Sequence, residues 1–149
     1  ILGHEAVGTI VEVGDKVKNY NVGDRVFVSH HVPCDQCYFC MSDNHTACET
    51  LHKTNYDPGG FSEFIRVPKV NVEKGIYILP ENVSFDEGVF IEPLATVLRG
   101  QRLAGIDSND MVLVIGSGIS GLLQIQMAKL NGAKKIIASD INKYRLRAA

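Results

Sequence analysis

Apolar and polar positions follow one another in distinct patterns along this chain. Residues 7–13 alternate roughly, and residues 24–28 and 61–67 form further short strand-like runs, each set off by glycine. Short strands punctuated by glycine predict a small β-barrel, closed at Leu79-Pro80. Ser84 followed three positions later by Glu87 is a capping-box pattern and predicts a helix start. Pro93 interrupts that helix but fits the first turn of another, predicted over 94–104. Residues 111–115, Met-Val-Leu-Val-Ile, predict a buried parallel strand. Leu122, Ile125, Met127 and Leu130 fall at helical spacing, and Asn131-Gly132 ends that helix. A second strand is predicted over 135–139. The fold class is therefore α/β with a β-rich front part, then a helical connector, then β-α-β.

Composition narrows the partners. The 149 residues are 45% hydrophobic and 21% charged, ordinary for a soluble globular protein. Fifteen Lys+Arg face 17 Asp+Glu, for a net charge of −2. Nucleic acid or an anionic membrane would call for a basic excess, so neither is expected as a partner. The longest apolar runs fall far short of the ~20 residues of a membrane span. No secretory signal is read, and a cytoplasmic location is expected. The chain starts Ile-Leu-Gly and stops within a helical pattern, so it is expected to be an internal stretch of a longer protein.

All the cysteines fall close together, at Cys34, Cys37, Cys40 and Cys48, spaced C-x2-C-x2-C-x7-C. Tight C-x2-C turns place thiolates around one tetrahedral zinc. An iron–sulfur run would continue C-x3-C-P, whereas here Glu49 follows Cys48. Four cysteine ligands close the site, so this zinc is structural and offers no open position.

Gly116-Ser117-Gly118-Ile119-Ser120-Gly121 stands between the first of the late strands and its helix, with Asp140 nineteen residues after Gly121. In that context G-x-G-x-x-G is a dinucleotide fingerprint. Gly116 permits the tight turn, Gly118 lets the backbone approach a pyrophosphate, and Gly121 packs helix on strand. Asp140 would accept the adenosine ribose hydroxyls and repel a 2′-phosphate, which favours NAD over NADP. Arg145 is expected near the adenine. His4 and Glu5 carry no signal by themselves. Glu92 stands in apolar company, Val89-Phe-Ile-Glu-Pro-Leu94, where an unpartnered carboxylate is costly.

Gly3-His4-Glu5-x2-Gly8, Gly23-Asp-Arg-Val26, the lobe 34–48, Gly59-Gly-Phe-Ser-Glu-Phe64 and the nucleotide turn occur here in one order. In that order they resemble the zinc-dependent medium-chain dehydrogenases, and the resemblance runs the length of the chain. It implies a GroES-like β-barrel portion (1–82), a helical connector (83–108) and the start of a Rossmann NAD-binding domain (109–149). It also implies a catalytic zinc held by His4, with Glu5 as a ligand or just behind one. Glu92-Pro93 matches the sorbitol and threonine dehydrogenase branch, where the Glu is a further ligand. His30 is implied either in the substrate pocket or on a surface loop. His31, His45 and His52 are expected to be structural or exposed.

The implied reaction is hydride transfer from a secondary alcohol, polyol or amino alcohol to NAD, in a protein that is a dimer or tetramer. The family's first catalytic cysteine, upstream of Gly3-His4-Glu5, is absent, as are the later Rossmann strands. This stretch alone is therefore expected to be inactive. Two other classes remain in view. A zincless quinone reductase of the same superfamily would lack the four-cysteine lobe. A non-enzymatic zinc module would lack the nucleotide turn.

Overall fold

The computed structural model describes residues 2–149, which fall into two compact units meeting at residues 91 and 92. In the first, β1 (Ala6–Thr9), β2 (Arg25–Val28) and β3 (Ile76–Ile78) form an antiparallel sheet in the order β1-β2-β3. Val28 stands opposite Ala6 on one side and Ile76 on the other. A central strand is paired at both edges, which explains why Val26, Phe27 and Val28 are all buried. Val26 and Val28 pack with Tyr56, and Ala6, Ile10, Ile65, Val67 and Ile76 surround them. Fully burying side chains of this size stabilises by about 1.5–3 kcal/mol each.

Two strand expectations change in this unit. Of 7–13, only the first residues extend β1. The chain then turns, with the Ile10 N–H bonded to the Asp24 carbonyl at 2.9 Å and the Gly23 N–H to that of Ile10 at 2.8 Å. Residues 61–67 form no strand, and among the described residues their β-pairing is the isolated bridge between Asp57 and Arg66. Ser62 Oγ donates to the carbonyls of Gly59 (2.7 Å) and Phe64 (3.0 Å), a local alternative to a ladder. Phe61 and Phe64 are consequently exposed. The unit also carries α1 (Tyr38–Met41), a 3₁₀ turn (His45–Ala47), α2 (Glu49–Lys53), α3 (Lys69–Lys74) and α4 (Phe85–Gly88). Helix α4 begins with the expected box. Glu87 N–H donates to Ser84 Oγ at 3.2 Å, and Ser84 N–H to Glu87 Oε2 at 2.8 Å.

Helix α5 (Ile91–Ala104) begins at the last residue of the first unit and runs on in the second; it starts before Pro93 and holds it in the first turn, where no N–H is needed. Strands β4 (Met111–Ile115) and β5 (Lys135–Ser139) pair in parallel, Met111 opposite Lys135 and Ile115 opposite Ser139. Helix α6 (Ile119–Leu130) joins them, and α7 (Lys143–Ala148) follows. Buried Gln101 ties α5 to α6. Its Nε2 donates to the Gln124 carbonyl and Oε1, both at 2.7 Å, and its Oε1 accepts from Asn131 Nδ2 at 2.9 Å. The expectation of a fully buried β4 is corrected. Val114 is buried, but Met111, Leu113 and Ile115 are 71%, 59% and 83% exposed. Helix α6 covers one face of the pair, and among the described residues nothing covers the other. No helix among the described residues is long and apolar enough to cross a membrane.

Candidate metal and dinucleotide sites

Cys34 and Cys37 stand on the loop before α1, Cys40 on α1, and Cys48 after the 3₁₀ turn. Asp35 and Asp43, both left-handed (φ 63° and 58°), bend the chain so that all four sulfurs face inward. The four Sγ atoms lie within 4.8 Å of one another, with Cys34–Cys40 at 3.9 Å and Cys37–Cys40 at 3.6 Å. A tetrahedron of 2.3 Å Zn–S bonds needs sulfurs about 3.8 Å apart. All four thiols are free, and the arrangement fits zinc. Backbone N–H groups of Cys34 and Leu51 hold the Cys48 thiol down to about 6. Burial, then the bond to Cys37, pushes Cys40 up to about 12.

The lobe is fastened from outside its own sequence. Lys74, at the end of α3, directs Nζ to the carbonyls of Pro33 (3.3 Å) and Cys34 (2.9 Å) and to Asp35 Oδ2 (2.6 Å). All three ammonium protons are thereby used on consecutive residues. Asp35 in turn raises the Lys74 pKa.

The segment between β2 and the lobe carries His30 and His31. His30 is 8% exposed, which excludes the surface-loop alternative. Its ring centroid lies 4.8 Å from His4, 3.9 Å from His31 and 6.5 Å from Tyr56. Desolvation, then the neighbouring His31 and His4, lower its pKa to about 4, so it is neutral near pH 7. His30 Nδ1 is buried without a hydrogen-bond partner among the described residues. His31 Nδ1 is 3.0 Å from the Thr54 carbonyl, a structural role as expected. His45 is half-buried and His52 exposed. His4 and Glu5 are exposed just before β1, and Glu92 is half-buried in the first turn of α5.

In the second unit the glycine turn follows β4. Gly116 has φ 94°, a left-handed conformation open to glycine, and Gly118 is the N-cap of α6. Ser117 N–H donates to Asp140 Oδ2 and Asn142 N–H to Asp140 Oδ1, both at 2.7 Å. These donations, Asn142 first, hold the Asp140 carboxyl below the usual range. Asp140 therefore also fastens the turn to the end of β5, a role its spacing did not reveal. A Cβ on Gly121 would lie 1.9 Å from the Gly116 carbonyl oxygen, so helix and turn meet through a bare backbone. Ser117 is 1% exposed, with no partner for its hydroxyl among the described residues. Ile119 opens α6, and Arg145 lies exposed on α7, whose start is capped by the Asn142 side chain. Lys74, Asn71 and Thr54 escaped the sequence reading. The one available signal was an amide in the otherwise apolar Val70-Asn71-Val72.

The chain belongs to the alcohol dehydrogenase GroES-like domain family, which matches residues 1–80. It is similar to "Probable D-xylulose reductase A" of Aspergillus clavatus, 38% identical over 98% of this chain and 40% of that one. It is also similar to sorbitol dehydrogenase of Bos taurus, 35% identical over 100% of this chain and 41% of the relative. A Sinorhizobium meliloti 1021 crystal structure bound to NADP matches with TM-score 0.84 and 31% identity, over 99% of this chain and 42% of that one. The chain thus spans about 40% of the length of the first curated relatives it matches. The expected fold class holds, a GroES-like β-rich portion followed by the start of a Rossmann domain.

Proposed function

We propose that the whole protein is a zinc- and NAD-dependent dehydrogenase of a polyol or related secondary alcohol. The observation that carries this reading is that one chain, similar along its length to sorbitol dehydrogenase, holds both a four-thiol cluster and a dinucleotide turn. When bound, zinc acts as a Lewis acid on the substrate oxygen and the nicotinamide accepts a hydride. His4, Glu5 and Glu92 are the proposed holders of the catalytic zinc. They supply one imidazole and two hard carboxylates, a donor set that suits zinc. Cys34, Cys37, Cys40 and Cys48 hold a second zinc with no open position, so the lobe stabilises and does not react. Neutral His30, packed against His4, offers a buried nitrogen that orients a substrate hydroxyl.

Gly116, Gly118 and Gly121 keep side chains away from the pyrophosphate, with Ser117 and Ile119 beside it at the helix N-terminus. Asp140 is kept ionised by two N–H donors, retains lone pairs for a ribose diol, and disfavours a 2′-phosphate. Arg145 flanks the adenine. The protein acts in the cytoplasm as a homo-oligomer on small molecules. The test is turnover of the full-length protein with polyols, simple alcohols and L-threonine, each with NAD and with NADP. Reduction of NAD by polyols supports the proposal. Equal use of NADP, the cofactor bound in the S. meliloti structure, would overturn the role given to Asp140.

A further inference from the structure

Residues 29–35, which lead from β2 into the cysteine lobe, are held at almost every peptide by groups distant in sequence. Ser29 N–H donates to the Gly75 carbonyl at 2.7 Å. Asn71, on α3 and 0% exposed, donates through Nδ2 to the carbonyls of Ser29 (3.0 Å) and His30 (2.9 Å). Thr54 Oγ1 accepts from Val32 N–H at 2.9 Å. Lys74, one turn after Asn71, takes the carbonyls of Pro33 and Cys34. A Cβ on Gly75 would come within 2.7 Å of Val32 Cγ1, so the end of α3 also packs closely on the segment.

One face of α3 therefore grips both ends of the same stretch: the end bearing His30 and the end bearing Cys34. Burying an amide completely is costly unless it is bonded, and Asn71 satisfies its donors only on this backbone. Its Oδ1 stays unpartnered among the described residues, a further cost that the two donations must offset. An apolar residue would fill the same space without these costs. Choosing an amide here makes sense if the His30 carbonyl has to be fixed.

We propose that Asn71 is a positioning residue for His30, and that α3 and residues 29–35 form a rigid strut coupling metal occupancy of the cysteine lobe to the placement of the His30 ring against His4. That His30 serves the reacting centre rests on the proposed function above; the coupling itself does not. With the lobe full, Cys34 is fixed, Lys74 holds the loop to α3, and Asn71 holds His30. With the lobe empty, the Cys34 sulfur loses its metal anchor, only Lys74 still holds that end from outside the lobe, and the strut loosens toward His30.

The test is carbethoxylation of the full-length protein by diethyl pyrocarbonate, read residue by residue with tandem mass spectrometry. His52, exposed, is the internal reference. Amide protection of β2 reports that the sheet stays folded. In the zinc-loaded protein His30 reacts far more slowly than His52. Losing the two Asn71 donations should raise the His30 rate by about tenfold or more, with β2 still protected and zinc retained. Asn71→Asp, which keeps the shape and removes the donors, provides that arm. Emptying the lobe with Cys37→Ser, which leaves His4, Glu5 and Glu92 intact, provides an independent arm and should raise the His30 rate similarly. If Asn71→Asp does not fold, the Cys37→Ser protein decides the matter. If Cys37→Ser unfolds β2, the zinc-loaded Asn71→Asp protein decides it. An unchanged His30 rate with β2 protected, in either arm, overturns the coupling. Neither arm requires turnover, so failure of the dehydrogenase reading is read separately, as absence of activity with His30 still coupled.

Discussion

Replacing Gly121 with alanine puts a methyl group where the structure has a carbonyl oxygen. The new Cβ would stand 1.9 Å from Gly116 O and 2.8 Å from Gly116 C, while real Cβ contacts stay beyond 3.0 Å. Both obstacles are backbone, so no side chain can swing aside. Helix α6 and the glycine turn must separate by about 1 Å, which also strains the Ser117 N–H bond to Asp140. Overpacking of this kind costs about 1–3 kcal/mol, and a backbone obstacle belongs at the upper end. For a unit this small each kcal/mol lowers the melting point by roughly 4–8 °C, so a fall on the order of 10 °C or more is expected. Displacing the turn by 1 Å misplaces the cofactor, and in the full-length protein a shift of that size costs on the order of 10²-fold in rate. Gly118→Ala is the matched control, since its Cβ meets nothing within 4 Å and its φ is −78°. It should melt like the wild type yet lose NAD affinity, because the methyl group occupies the pyrophosphate approach. Thermal melts and NAD titrations of the two variants test the pair. A Gly121→Ala protein that melts with the wild type would refute the close-approach argument.

Cys37→Ser should lower the lobe's zinc content and its stability, because metal binding contributes folding free energy directly; metal analysis and a melt check this. Asp140→Ser should weaken NAD and relieve the bias against NADP, read as the ratio of kcat/KM for the two cofactors in the full-length protein. The Asp140 carboxyl titrates below its ordinary value of 3.8 when folded, so its bonds stabilise fully above that value. That contribution is lost as pH falls through the depressed value. Asp140→Asn should therefore lower the melting point at pH 7 and cost progressively less in acid, as melts across pH will show. Glu92→Ala in the full-length protein should abolish most turnover while one zinc per chain remains, measured by metal analysis beside the activity assay.

What could be read directly from the sequence was local. The cysteine spacing, the Ser84 box and the glycine turn each depend on neighbours a few residues away; the structure brings the four sulfurs together, closes the box and sets Gly118 at the start of α6. Residues 61–67 looked like a strand because alternation records only which faces are apolar. Ser62 closed a turn there instead. The run 111–115 implied burial on both faces, whereas α6 supplies one cover. His30 could not be placed from the sequence because its burial depends on Asn71, forty-one positions away, and on β2 in the middle of its sheet. The double duty of Asp140 was hidden for the same reason. Spacing identifies a ribose acceptor, but only the closed turn shows that the same oxygens also hold Ser117 and Asn142.

The central claim is that the protein oxidises a polyol with NAD under the control of zinc. Steady-state assay of the zinc-replete full-length protein against a polyol panel, following NADH formation, tests it most directly. The account predicts polyol-dependent NADH formation that stronger chelation removes and added zinc restores, with NAD preferred over NADP. No NAD reduction with any polyol or secondary alcohol, in protein carrying its full zinc complement, would contradict it.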